Sequence, residues 1–241
     1  MYNSILYIGP EGEILGTHRK INITVQELLY HTRGGGGDNL KVFDTDLGKL
    51  SGLICGEHYQ PTLMQYILTQ GSQVNCSLWP GYFDYPGAYS LKTIIPAMTK
   101  GVCIAGQLFA VLSSCYVPEN ERPDDFYRNN AFDQIFGGSC IINPVGETVA
   151  GPVYDEETII YHDIDLGTIP LAKSVVNLTG IYSRWDLINL NVRQKQYEPL
   201  QPLETTETEK TVEHEISSKQ VEELKAKIEK IEEKLQTEEE E

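Results

Sequence analysis

Pro202 is the last proline in the chain, and from Glu204 onward there is no aromatic residue, no glycine and no cysteine. The preceding residues are the opposite, with short apolar runs that alternate with polar residues and are punctuated by Gly, Pro, Asn and Asp. One chain therefore joins two segments with different physics. The charge follows the same division. Residues 201–241 carry 14 Glu and 6 Lys, whereas residues 1–200 carry 21 acids and 13 bases, so one sixth of the length holds half of the net charge of -16. Such an acidic balance argues against a nucleic-acid binder, which needs clustered Lys and Arg. It argues equally against docking on an anionic membrane surface.

The body reads as alternating strands and helices. Ser4–Ile8 and Glu13–Thr17 flank a Gly-Pro-Glu-Gly turn, the pattern of a hairpin that delivers His18-Arg19-Lys20 at its end. Gly34–Gly37, closed by Asp38, reads as a substrate-side loop, since no phosphate-loop lysine follows it. Leu40–Asp44 and Lys49–Ile54 form a second strand pair. Pro61–Gln70 has helical spacing and stops at Gly71. Gln73–Leu78 is expected as a strand, Ala88–Thr99 as a helix, and Val102–Val117 as one or two strands. Phe136–Ile142 and Glu147–Gly151 make another hairpin, followed by a strand over Thr158–Ile164. This order fits an α/β or α+β domain and excludes a helical bundle.

In the tail, Val221, Leu224, Ile228, Ile231 and Leu235 follow 3-4-3-4 spacing. Two readings remain open for it, a short coiled coil and a solvated amphipathic helix. The five cysteines are an odd number, widely spaced and without a CxxC pair, which is neither a disulfide framework nor a zinc site. The histidines have no metal-ligand spacing, and neither a metal nor a cofactor is expected. No secretory leader and no membrane span is readable, so a reduced cytoplasmic setting is expected.

Chemistry concentrates where the strand Lys49–Ile54 ends in Cys55 and Gly56-Glu57-His58-Tyr59-Gln60-Pro61 leads into a helix. A thiol at such an elbow is exposed at a sheet edge, near N–H groups that favour thiolate. The residues alone leave two readings open, a nucleophile and a buried strand-end cysteine. Lys20 is a cation of the kind that stabilises a thiolate and an anionic intermediate, with Glu27 seven residues on. Trp79-Pro80, with Tyr82, Phe83 and Tyr85, reads either as pocket lining or as core packing.

Taken together, HRK-x3-T-x2-E (His18 to Glu27), GLICGEHYQP (Gly52–Pro61), SLWPGYF (Ser77–Phe83), GGSCIINPVGETVAGPVYDEE (Gly137–Glu157), DIDLGTI (Asp163–Ile169) and GIYSRWDLINLNV (Gly180–Val192) resemble, in order, the nitrilase branch of the carbon–nitrogen hydrolase superfamily. The resemblance covers roughly residues 2–195. It implies a four-layer αββα sandwich over 1–196, N-terminally incomplete, with an acidic linker and helical tail over 197–241. It also implies Cys55 as nucleophile, Lys20 as the stabilising cation and Glu27 as the second active-site glutamate. Glu57, His58, Trp79 and Tyr82 are expected at the substrate.

The implied reaction is addition of the thiolate to a nitrile, giving a thioimidate that water resolves to carboxylic acid and ammonia. An amide product, as in cyanide hydratases, and amidase activity are the variants. Homo-oligomers are implied as well. The family's general base is a Glu upstream of the Lys, and no residue before Lys20 fits that role. Negligible nitrile hydrolysis by the chain as it stands is therefore expected, and an inactive interaction module is the rival reading. The family usually has Trp after the cysteine, where this chain has Gly56.

Overall fold

The computed structural model describes residues 1–195 apart from 83, 86 and 123–134. All of them lie in the first of two units into which the chain divides, Met1–Tyr197. The tail heptads and Phe83 fall outside the described residues.

Ser4–Ile8 (β1) and Ile14–Arg19 (β2) pair antiparallel around a turn closed by Gly9 N–H to Glu13 O at 2.8 Å. Among the described residues the main sheet has six strands: Phe43–Thr45 (β3), Gly48–Ile54 (β4), Val74–Trp79 (β5), Phe109–Ser114 (β8), Gly137–Ile142 (β9) and Thr148–Tyr154 (β10). Their spatial order is β10-β9-β8-β5-β4-β3. The neighbours β4-β5 and β5-β8 are parallel and the outer pairs antiparallel. Helices Pro61–Thr69 (α1) and Leu91–Gly106 (α2) supply the crossovers that parallel neighbours require. Asp84–Tyr85 (β6) and Tyr89–Ser90 (β7) form a small ladder, and Thr168–Val175 (α3) follows the sheet.

The period-2 alternation of the strands decides the layers. On one face of β4, Leu53 packs with Leu40 and Ile67, a residue of α1. Further along that face, Trp79, Ala110 and Leu112 pack with Leu91, Ile95, Val102 and Cys103 of α2. On the other face, Ile54 packs with Ile5 and Tyr7 of the hairpin. Gly52 is required there because an added Cβ would lie 2.4 Å from the Tyr7 hydroxyl oxygen. Val74 and Phe109 on this face meet Ile169 of α3. The described residues thus build a helix layer, a six-stranded sheet and a second β layer.

Two expected elements differ. The strand expected from Val102 begins only at Phe109, because α2 runs on to Gly106 and ends at Gln107 with φ +45°. Its buried residues, Leu91, Ile95, Thr99, Val102, Cys103 and Gly106, recur at helical period and override both Pro96 and Gly101. Thr158–Ile164 forms no strand. Ile159 and Tyr161 are exposed, so the apolar positions there gain nothing from a ladder. No helix among the described residues is long and apolar enough to cross a membrane.

Candidate active site

Parallel pairing of β4 with β5 fixes Ile54 opposite Leu78, so Cys55 emerges at the sheet's carboxyl edge beside Trp79. There the chain turns sharply. Cys55 has φ +49°, the left-handed region that a non-glycine residue occupies only where its surroundings impose it. The following residues form a 3-10 turn, Cys55–Tyr59, and Pro61 then opens α1.

Glu57 and His58 hold this elbow from behind. The Glu57 carboxylate is fully buried and accepts from three donors: Ile54 N–H at 2.8 Å, Ile21 N–H at 2.7 Å and His18 Nε2–H at 2.8 Å. One side chain therefore binds both the segment carrying Cys55 and the segment carrying Lys20. The other ring nitrogen of His18 lies 3.2 Å from Asn39 O. His58 donates Nδ1–H to Cys55 O at 2.9 Å, and its ring centroid is 4.6 Å from that of Trp79. Burial pushes the His58 pKa down to about 4, so the ring is neutral at pH 7.

Lys20 is 2% exposed. Its ammonium donates to Glu27 Oε2 and, at 3.3 Å, to Thr24 Oγ1. Glu27 also accepts from Asn3 Nδ2 at 2.8 Å and Thr24 N–H at 2.9 Å. Burial alone pushes the Glu27 pKa up, but the hydrogen bonds from Lys20, Asn3 and Thr24 and the Lys20 charge prevail and hold it at about 2. The carboxylate stays ionised and committed to the lysine.

The Cys55 thiol is pushed up rather than down. Burial dominates, and the Glu27 charge adds to it; the Lys20 charge and hydrogen bonds from Gly56 N–H and the Thr24 hydroxyl act in the opposite direction without overcoming it. The elbow expected to acidify the sulfur is present, but desolvation prevails over it.

Cys55 opens on a cavity of about 290 Å³ whose walls include Thr24, Gly56, Tyr59, Trp79, Tyr82 and Tyr89. Among the described residues that line it there is neither a carboxylate nor a cation. A Cβ added to Gly56 would meet nothing within 4 Å, so the missing side chain is open space beside the sulfur. Trp79 donates Nε1–H to Thr99 Oγ1 at 3.2 Å, which fixes the ring that forms one wall. Tyr59 and Tyr89 meet hydroxyl to hydroxyl at 3.2 Å.

The structure thus gathers Cys55, Lys20 and Glu27, with Trp79 and Tyr82 at the cavity. Glu57 and His58, expected at the substrate, do not line it. The left-handed Cys55 turns the chain so that the next side chains point into the protein, where Glu57 finds its three donors. The glycine loop also differs from expectation. Gly37 N–H donates to Arg193 O at 2.7 Å and Asp38 N–H to Gln194 O at 3.0 Å, so the loop is crossed by the chain's own residues 192–194 and is not among the described residues lining the Cys55 cavity. An added Cβ on Gly36 would lie 2.1 Å from Gln194 O, and one on Gly34 would lie 2.1 Å from Arg19 O, which explains the run of glycine. Thr24, Tyr59 and Tyr89 were not singled out from the sequence. Thr24 carried a signal as the T of T-x2-E; Tyr89 carried none. Among the described residues no cluster of His, Cys, Asp and Glu could hold a metal ion.

Residues 1–174 match the family described as carbon-nitrogen hydrolase. Nitrilase 1 of Arabidopsis thaliana is 33% identical over 204 residues, which are 80% of this chain and 56% of that protein. The bifunctional nitrilase/nitrile hydratase NIT4A of Lupinus angustifolius is 30% identical over 83% of this chain and 57% of its own length. The chain therefore spans less than two thirds of these relatives. Among solved structures, a carbon-nitrogen hydrolase from Helicobacter pylori G27 superposes with a TM-score of 0.63 at 21% identity, covering 77% of this chain and 64% of that one. The C. elegans NitFhit protein gives 0.60 at 19% identity, covering 82% of this chain and 46% of that one. The likeness confirms the α/β sandwich of that superfamily.

Proposed function

The chain belongs to the carbon–nitrogen hydrolase family, in its nitrilase branch, and on that premise we propose that it hydrolyses organic nitriles through Cys55. The observation that carries the reading is the strained Cys55, set at the mouth of an aromatic cavity with the Lys20–Glu27 pair beside it.

Addition of the Cys55 S–H across R–C≡N forms the C–S bond and moves the thiol proton to nitrogen, giving the thioimidate S–C(=NH)–R. One water then adds to that carbon and ammonia leaves, which yields a thioester. A second water releases the carboxylic acid and restores the thiol. Lys20 stabilises the negative charge that develops during addition, and Glu27 holds the ammonium in place. The described walls, with no charged side chain among them, suit an uncharged, apolar substrate body.

One observation favours a second reading, in which a nitrile stops at the thioimidate. Glu27 is held by Lys20 with its pKa at about 2, and among the described residues no carboxylate lines the cavity to serve as a base for water. The test is to incubate the chain with apolar nitriles while following ammonia and the intact mass. Ammonia release that is lost in Cys55→Ala supports hydrolysis. An adduct on Cys55 without ammonia supports the second reading. Neither adduct nor ammonia overturns both.

Cytoplasmic residence and assembly with further copies belong to the same proposal. Five free cysteines and the exposed Leu6, Ile8 and Ile14 on the outer side of the hairpin support them.

A further inference from the structure

Thr24 is the one member of the His18–Glu27 motif that touches both the cation and the cavity. Its hydroxyl oxygen is 3.3 Å from Lys20 Nζ, and it lines the same cavity as Cys55. Lys20 and Glu27, by contrast, are not among the lining residues. The threonine backbone is pinned by its N–H to Glu27 Oε2 at 2.9 Å, so the side chain stands on the carboxylate that also holds the lysine.

We propose that Thr24 is a further catalytic residue, whose hydroxyl couples the Lys20 ammonium to the Cys55 sulfur. A threonine hydroxyl has one proton to give and two lone pairs to receive. Here Lys20 Nζ–H donates to Oγ1, which leaves the hydroxyl proton for the sulfur. Each donor polarises the next, so part of the ammonium's pull reaches the thiolate through the threonine. No bond to Thr24 is made or broken. The proton that leaves Cys55 goes to solvent when the thiolate forms alone, and to the nitrile nitrogen during addition. The Thr24 hydroxyl, on the same cavity as the sulfur, acts on the Cys55 thiol in the acidifying direction, as this arrangement requires.

The proposal rests on Cys55 as nucleophile, but its test does not depend on turnover. The rate of carbamidomethylation of Cys55 by iodoacetamide is measured against pH by peptide mass spectrometry in the full chain, for wild type, Thr24→Val, Thr24→Ala and Thr24→Ser. Loss of a hydrogen bond to an ionised acceptor predicts labelling about tenfold slower in Thr24→Val at pH 8, with the profile displaced to higher pH. Thr24→Ala, which adds no bulk, should show the same displacement. Thr24→Ser, which keeps the hydroxyl, should label within about twofold of wild type. A Val or Ala profile that superposes on wild type overturns the proposal. So does a Ser variant displaced as far as Ala, since the methyl group would then be what matters. Failure of nitrile hydrolysis, read by ammonia, leaves these profiles untouched.

Discussion

Replacing Glu57 by alanine tests the claim that this carboxylate joins the two halves of the site instead of touching substrate. The change strands three buried donors, Ile54 N–H, Ile21 N–H and His18 Nε2–H, and leaves a void where the side chain was. Removing one member of a buried pair costs about 3–5 kcal/mol, most of it the penalty for the partner left behind. A domain of this size shifts its melting temperature by about 2–4 °C for each kcal/mol, so a fall of roughly 6–20 °C is expected. Glu57→Gln keeps one oxygen for an N–H but turns an amide NH2 toward another donor, so an intermediate loss of roughly 2 kcal/mol is expected. Thermal unfolding followed by circular dichroism at pH 7 reads both. If Glu57→Ala melts within about 2 °C of wild type, the clamp is refuted. A substrate contact would instead leave melting unchanged and weaken nitrile binding.

Three further outcomes follow from the same geometry. His58 has a folded pKa of about 4 against an ordinary 6.5, so the unfolded chain binds the proton first. The stability it contributes is complete above pH 6.5 and is lost as pH falls toward 4, roughly 3 kcal/mol in all. His58→Gln should flatten urea-unfolding stability between pH 7 and pH 4.5, and an unchanged slope would contradict this. Glu27, held at about 2, contributes stability above its ordinary 4.5 that is lost between 4.5 and 2. Glu27→Gln should therefore lower stability at pH 6 and shrink the gap to wild type at pH 2.5. At Gly56 the backbone is not left-handed and the space is open, so Gly56→Leu should fold within about 1 kcal/mol of wild type. It should also slow alkylation of Cys55 by a bulky maleimide far more than by iodoacetamide, and equal slowing would refute the open space.

What the sequence disclosed was mostly local. The elbow at Cys55 could be read because a strand pattern meets Pro61, a residue suited to a first helical turn. The hairpin 4–19 could be read from its turn chemistry. Lys20 and Glu27 came from the order of motifs, since nothing in their own neighbours singles them out. The α2 boundary was misjudged because Pro96 and Gly101 look like breakers, whereas the burial of Val102 and Cys103 that overrides them is tertiary. Glu57 was misplaced for a related reason. Adjacency to a nucleophile says nothing about direction when the residue between strand and turn has φ +49°. The glycine loop, expected on the substrate side, is held instead by partners about 155 residues further along the chain, which its local sequence does not disclose.

That last contact has a bearing on the order of events in synthesis. Gly34 N–H bonds Lys20 O at 2.8 Å, while Gly37 and Asp38 are completed only by Arg193 and Gln194. The strand end that presents Lys20 is translated about 155 residues or more before the residues that complete the loop bracing it. Contacts that span so much chain form late and slowly. A nascent chain therefore carries Cys55 and Lys20 through that interval before the loop beside Lys20 closes, and a chain ended before Val192 would stay in that unbraced condition.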